Sequence, residues 1–397
     1  MPQRLNINRI VFYLFPLICY WGYSCIFIDV KMWKMIQFVL VPIIFLRVVG
    51  LFFRKKNPIT QNVIIIFFLT LLSIVMSFVV WQQDLVLGYR TSIGFLSIIF
   101  YLFLVKNDFS ESQVERLIVL YGVVWIITWL VNMLSPVAVF GLLDAEDIND
   151  SRGITRFIIQ GDGFLYLLFF LLFNYWSKTK QKKYLFLAVV AFAIIVLQVT
   201  RQAIFFCSLV SLYYLFKNQK RIFLCLGIVI SLLTFVDVDV PKDSIFSKMI
   251  ELSQDQYKEN SSGNKNIRVE AYEFFFTEFS PNNVAVLFGN GLPHDDSAYG
   301  KMYTKIRAVR KIFYSDVGYA AIYMMMGIAG LIAFFRFFVF LVRYPLTNQT
   351  YLYAKMFVVY LFLCNSVSFV IGSNIIPMSV ALYVLNKDYK EKREGLK

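Results

Sequence analysis

A chain of 397 residues that is 59% apolar, with 42 Phe, 24 Tyr and a mean hydropathy of +0.64, carries more apolar surface than a soluble domain can bury. Its net charge of +14 sits in short basic clusters between apolar runs, which is the pattern of membrane topology and argues against nucleic acid as a partner. Cys19, Cys25, Cys207, Cys225 and Cys364 all fall inside apolar runs, excluding a disulfide framework and zinc-type spacing, so neither metal nor cofactor is expected.

In chain order, Arg4 and Arg9 precede an apolar stretch with no small-x-small cleavage site, so the first span is expected to remain uncleaved. Spans are predicted at 10–28, 35–53, 61–80, 86–105, 117–140 and 157–175, then at 184–199, 202–216, 222–236, 313–335, 352–370 and 372–385. The last two are short enough to form a re-entrant pair instead. The run from 184 to 216 is interrupted only by Gln198, Thr200, Arg201 and Gln202. As one helix it would rise roughly 50 Å, well beyond a hydrocarbon core of about 30 Å, so it must fold as two short spans with Arg201 at the tip.

Basic clusters at Arg54–Lys56, Lys178–Lys183, Lys217–Arg221 and Lys387–Arg393 are separated by even numbers of spans, which puts all of them on the cytoplasmic side. Lys31 and Lys34, in the first outer loop, fit this rule poorly. Both termini are then cytoplasmic. The segments 141–156 and 237–312, with the Arg201 tip, face outward. The expected fold class is all-α: one polytopic membrane domain over 1–397, about twelve transmembrane helices, and a large extracytoplasmic loop at 237–312 containing short helices that cap the bundle. Within that loop IRVEAYEFFFTEF is amphipathic at helical spacing, with Ile267, Ala271, Phe274 and Phe275 on one face, as for a helix at a membrane surface. FGNGLP then reads as a tight turn presenting backbone N–H groups.

Four arginines gather on the outer face in this topology: Arg152 and Arg156 in SRGITRF, Arg201 in VTRQA, and Arg268 in NIRVEAY. An arginine between two spans is costly unless it pairs or faces a polar cavity, and a guanidinium fork matches phosphate geometry. The alternative is that each snorkels to headgroups or pairs locally, for instance Arg201 with Asp162 or Asp316. Asp162, in IIQGDGF, and Asp316, in YSDVGY, lie where spans enter from the outer side, and a partly desolvated carboxylate there suits general-base work. For Asp316, capping the following helix is an equal alternative. His294 is the sole histidine and a candidate acid or base, though a loop histidine is commonly incidental. Asp237 and Asp239 form a D-x-D with no nucleotide fold around it. No phosphate-binding loop, H-E-x-x-H or G-x-S-x-G motif occurs.

In this order VTRQA, NIRVEAY, FGNGLP and YSDVGYAAIYMMMGIAG, preceded by SRGITRFIIQGDG, resemble the motifs of the O-antigen polymerase and ligase superfamily, the Wzy-type polymerases and their relatives. The resemblance covers most of residues 140–335. It implies a glycosyltransferase that joins polyprenyl-diphosphate-linked oligosaccharide repeat units outside the cytoplasm of a bacterial inner membrane, without a metal. Arg201 and Arg268 would stabilise the departing diphosphate, Arg152 or Arg156 would place a donor or acceptor phosphate, and Asp316 would act as base or orient the acceptor. Tyr272, Tyr299 and Tyr303 would offer sugar-stacking surfaces. A polyprenyl-diphosphate-linked oligosaccharide is then both donor and acceptor, membrane lipid surrounds the protein, and a chain-length regulator is a further partner. Ligases of the superfamily tend to carry His where this chain has Ser315 and Asp316, which favours polymerase over ligase. A lipid-linked oligosaccharide flippase is the rival from another class.

Overall fold

Local capping signals set where several helices of this protein begin. The computed structural model describes residues 7–20, 24–28, 30–54, 57–135, 139–141, 159–198, 200–216 and 267–395. The predicted span at 222–236, the Asp237–Asp239 pair, Arg152 and Arg156 lie outside them. Among the described residues the structure is helical and without strands, apart from isolated bridges of Cys25 with Ile28 and Phe140.

The first helices are α1 (Ile7–Cys19), α2 (Val30–Val48, extended by a 3-10 turn to Phe53) and α3 (Pro58–Trp81). Helix α3 starts where the Asn57 side chain accepts from Thr60 N at 2.8 Å, with Pro58 pre-set in the first turn, and ends at Gln82 in the left-handed region. Next come α4 (Leu85–Leu96) and α5 (Ile99–Asn107), bent by 49° about Ser97. At that bend Ser97 Oγ donates to Ile93 O at 2.9 Å and accepts from buried Gln37 Nε2 at 3.0 Å, so a side chain competes with the helical ladder. Helix α6 (Glu111–Leu134) opens on a capping box between Ser110 and Gln113.

The 184–216 run divides as its length requires. Helix α7 (Gly163–Thr179) is followed by α8 (Lys182–Leu197), a break at Gln198–Thr200, and α9 (Arg201–Phe216). Three short helices follow in the described part of the predicted outer loop: α10 (Ile267–Thr277), α11 (Asn283–Phe288) and α12 (Ala298–Arg310). The chain ends with α13 (Gly318–Arg343), α14 (Leu352–Cys364), one helical turn at Val370–Ser373, and α15 (Ile375–Arg393).

Among the described residues, four helices are long and apolar enough to cross a membrane: Val30–Phe53, Pro58–Trp81, Glu111–Leu134 and Gly318–Arg343. The bent α4–α5 pair makes a fifth if it acts as one span. A helix stands at each predicted span within the described residues, but several fall short of the roughly 20 residues that cross a hydrocarbon core. Polar breaks are the reason. Gln198–Thr200 ends one apolar run, and Asn365–Ser368 ends another that the hydropathy pattern carries on to residue 370.

The FGNGLP turn departs from expectation. It lies against α13, where Gly327 takes φ +65°, ψ −163° and leaves carbonyls of the preceding turn without helical donors. Asn290 N donates to Met324 O at 2.7 Å, and Gly291 N donates to Met325 O at 3.1 Å. Its N–H groups are therefore spent on a kinked helix and are not presented to a ligand. Contact is close enough to require glycine on both sides: a Cβ on Gly289 would lie 2.3 Å from Met325 O, and one on Gly327 2.5 Å from the Leu287 carbonyl. Asn290, fully buried, completes the joint by accepting from Trp81 Nε1 and donating to Ser280 Oγ, each at 3.0 Å.

Candidate functional site

At one end of the bundle the first turns of α7, α9 and α13 meet the break between α14 and α15. The break is polar, NSVSFVIGSN from Asn365 to Asn374, and its Ser366, Ser368 and Phe369 bond outward to neighbouring elements. Gln202, in the first turn of α9, donates from Nε2 to Ser368 Oγ at 2.6 Å. Phe369 N donates to Ser315 O at 2.8 Å, and the Tyr272 hydroxyl of α10 donates to Ser366 O at 2.8 Å. Three stretches far apart in the chain are thereby tied to one hub.

Between them lies a cavity of about 260 Å³. Asp162, Thr200, Gln202 and Ser315 line it, so it unites the aspartate before α7, both neighbours of Arg201, and the serine beside Asp316. Asp162 Oδ2 accepts from the Tyr166 hydroxyl at 3.2 Å. Arg201 begins α9 half-buried. Arg268 is exposed on the first turn of α10; it and Asp162 both lie within electrostatic reach of the Cys364 thiol at the end of α14, which places α10 over the same end of the bundle.

Asp316 ends a 3-10 turn, Tyr314–Asp316, and is exposed. Val317 holds the N-cap position of α13 and makes no side-chain capping bond, and Asp316 stands one residue before it. His294 does not line the cavity. Its Nδ1 accepts from Asp296 N at 3.2 Å, its N–H donates to Gln83 Oε1 at 2.9 Å, and its carbonyl accepts from Ser297 Oγ at 2.7 Å, bracing the loop before α12.

The tyrosines divide in the same way. Tyr303 is 4% exposed, and its hydroxyl accepts from Tyr314 N at 2.9 Å. Tyr299 stacks on Trp81 with ring centroids 4.7 Å apart and nearly parallel, and donates to Gly291 O at 3.2 Å. Both rings are spent on packing, Tyr299 against Trp81 of α3 and Tyr303 against Phe279 and Tyr314. Burial pushes the phenols of Tyr299, Tyr303 and Tyr272 above their ordinary value, so they remain protonated near neutrality and serve as hydrogen-bonding groups, not bases. Tyr272 alone of the three reaches the hub.

Sequence reasoning passed over Trp125, Tyr166, Gln198, Ser368 and Ser373, which also line the cavity. The signal for the serines was present in the polar residues that interrupt the last apolar run. Trp125 and Tyr166 had none, being aromatics in an aromatic-rich chain. A second, apolar cavity of about 710 Å³ runs along the same two helices, from Leu209, Val210 and Tyr213 on α9 to Leu352, Val359 and Leu363 on α14. Among the described residues, no cluster of His, Cys, Asp and Glu forms that could hold a metal ion. Comparison of the chain with protein-family models and with curated proteins returns no match.

Proposed function

We infer that the chain is a membrane glycosyltransferase that joins polyprenyl-diphosphate-linked oligosaccharide units at the outer face of a bacterial cytoplasmic membrane. One observation carries this reading: a single cavity is lined by Asp162, by both neighbours of Arg201, and by Ser315 beside Asp316. These stretches drew attention separately in the sequence as candidates for acid–base and phosphate chemistry. In the twelve-span topology with cytoplasmic termini they face outward beneath the 237–312 loop.

Chemically, an acceptor sugar hydroxyl attacks the anomeric carbon of the donor sugar. The new glycosidic bond forms as the bond to the lipid diphosphate breaks, and its electron pair leaves with the diphosphate. Asp162, the carboxylate that lines the cavity, takes the hydroxyl proton. Arg201 and Arg268 meet the charge developing on the leaving group, so their contacts strengthen on the way to the transition state and no metal enters this reading. The apolar cavity along α9 and α14 suits a polyprenyl chain. A chain-length regulator would act on the growing product.

Two features favour a transporter as the second reading: the α4–α5 bend and the Gly327 kink are broken helices, which transporters use to build sites. Purified protein in detergent, supplied with lipid-diphosphate-linked repeat units, separates the classes. Chain growth without a sealed membrane is the expected result. Absence of growth, together with substrate movement across reconstituted vesicles, would replace the enzyme with a flippase.

A further inference from the structure

The cavity beside Arg201 differs in character from a phosphate site. Among the described residues no Lys or Arg lines it. Among the described residues its polar lining includes the amides of Gln198 and Gln202, the hydroxyls of Thr200, Ser315, Ser368 and Ser373, and the carboxylate of Asp162. Planar amides and a carboxylate that bond adjacent hydroxyls, with aromatic rings beside them for an apolar ring face, make up the recognition chemistry of a neutral polyol. Trp125, Tyr166 and Phe369 supply the rings.

Gln198 adds an independent observation. It is only 9% exposed and lines the cavity, and its Nε2 has no hydrogen-bond partner among the described residues. A buried amide left without a partner costs stability, so its retention at this wall calls for a ligand acceptor. The cavity volume of about 260 Å³ is close to that of roughly nine liquid waters, enough to seat one sugar ring.

We propose that this cavity is a subsite for a single neutral monosaccharide, in which Gln198 and Ser373 select the sugar and Asp162 meets the hydroxyl that reacts. The assignment of a reacting hydroxyl rests on the glycosyltransferase reading; the sugar site itself does not. The diphosphate stays outside the subsite, on Arg201 and Arg268. Repeat units are thus recognised one ring at a time at the bond to be made.

The test is saturation-transfer NMR on the full chain in lipid nanodiscs, without sugar-based detergent, against free glucose, galactose, mannose, 6-deoxymannose and N-acetylglucosamine. Transfer to at least one of them is expected. Gln198→Leu should weaken it roughly tenfold, the effect of about one lost hydrogen bond, while thermal unfolding stays at or above that of the wild type because an unpartnered amide has been removed. Ser373→Ala provides a second variant should Gln198→Leu fail to fold, with the same loss expected. Transfer to none of the sugars in the wild type, or undiminished transfer in the variants, overturns the subsite. Chain growth on lipid-linked units without sugar transfer would overturn the subsite and leave the polymerase reading intact. Sugar transfer lost in the variants, in a protein that never extends a chain, would uphold the subsite and remove that reading.

Discussion

Gln202 Nε2 lies 2.6 Å from Ser368 Oγ, a side-chain bond across 166 residues that joins the first turn of α9 to the break between α14 and α15. It sets the position of Arg201 relative to the cavity, because the arginine and the glutamine share one helical turn. Gln202→Ala should cost about 1 kcal/mol of stability, as for a typical net hydrogen bond. Polymer yield should fall further than thermal stability does. Parallel unfolding and chain-growth measurements check this, and yield that merely tracks stability would reduce the bond to scaffolding.

Arg201→Ala should abolish long polymer and leave single lipid-linked repeats to accumulate. Removing one preorganised donor from a developing anion typically costs about 10²–10³ in rate. Arg201→Lys should recover only part of this, since an ammonium cannot supply the planar fork. Gel analysis of extracted glycans gives the readout, and wild-type polymer length in the alanine variant would remove Arg201 from the mechanism.

The two carboxylates can be ranked. Asp162 lines the cavity, whereas Asp316 stands exposed next to a lining serine. Asp162→Asn should therefore lower the turnover of purified protein by about 10²–10⁴, the usual scale of general-base catalysis. Asp316→Asn should have a distinctly smaller effect. The reverse order would move the base to Asp316.

Gly289→Ala and Gly327→Ala should each destabilise the protein without touching the cavity. Each glycine has positive φ and faces backbone across the α11–α13 joint. A non-glycine residue in that extended positive-φ conformation costs about 1–3 kcal/mol, and forcing the backbones apart adds about 1–3 kcal/mol. A lowered unfolding temperature in detergent, with residual folded protein retaining its specific activity, is the expected pattern.

Tyr303→Phe tests whether that ring packs or binds sugar. Burial at 4% exposure and a hydroxyl accepting from Tyr314 N predict a loss of about 1 kcal/mol from the missing acceptor and little change in chain growth. His294→Ala should behave similarly, because its contacts brace a loop. Loss of turnover with normal stability in either variant would return that residue to the active machinery.

Sequence alone determined the apolar, all-helical architecture and some of the helix ends, because composition and capping act locally. Asn57 with Pro58, and Ser110 with Gln113, start their helices through neighbours no more than three residues away. The length argument split 184–216 at the place where Gln198–Thr200 separates α8 from α9. Tertiary structure decided the rest. Only packing shows that the FGNGLP amides are taken by Met324 and Met325, that Tyr299 and Tyr303 are filled by Trp81 and Tyr314, and that the Asn365–Asn374 break closes a cavity around Asp162 and Gln202. Those pairings span tens to hundreds of residues. No local period encodes them, since they depend on which helix ends meet and on which polar groups remain to be satisfied once the apolar faces are buried.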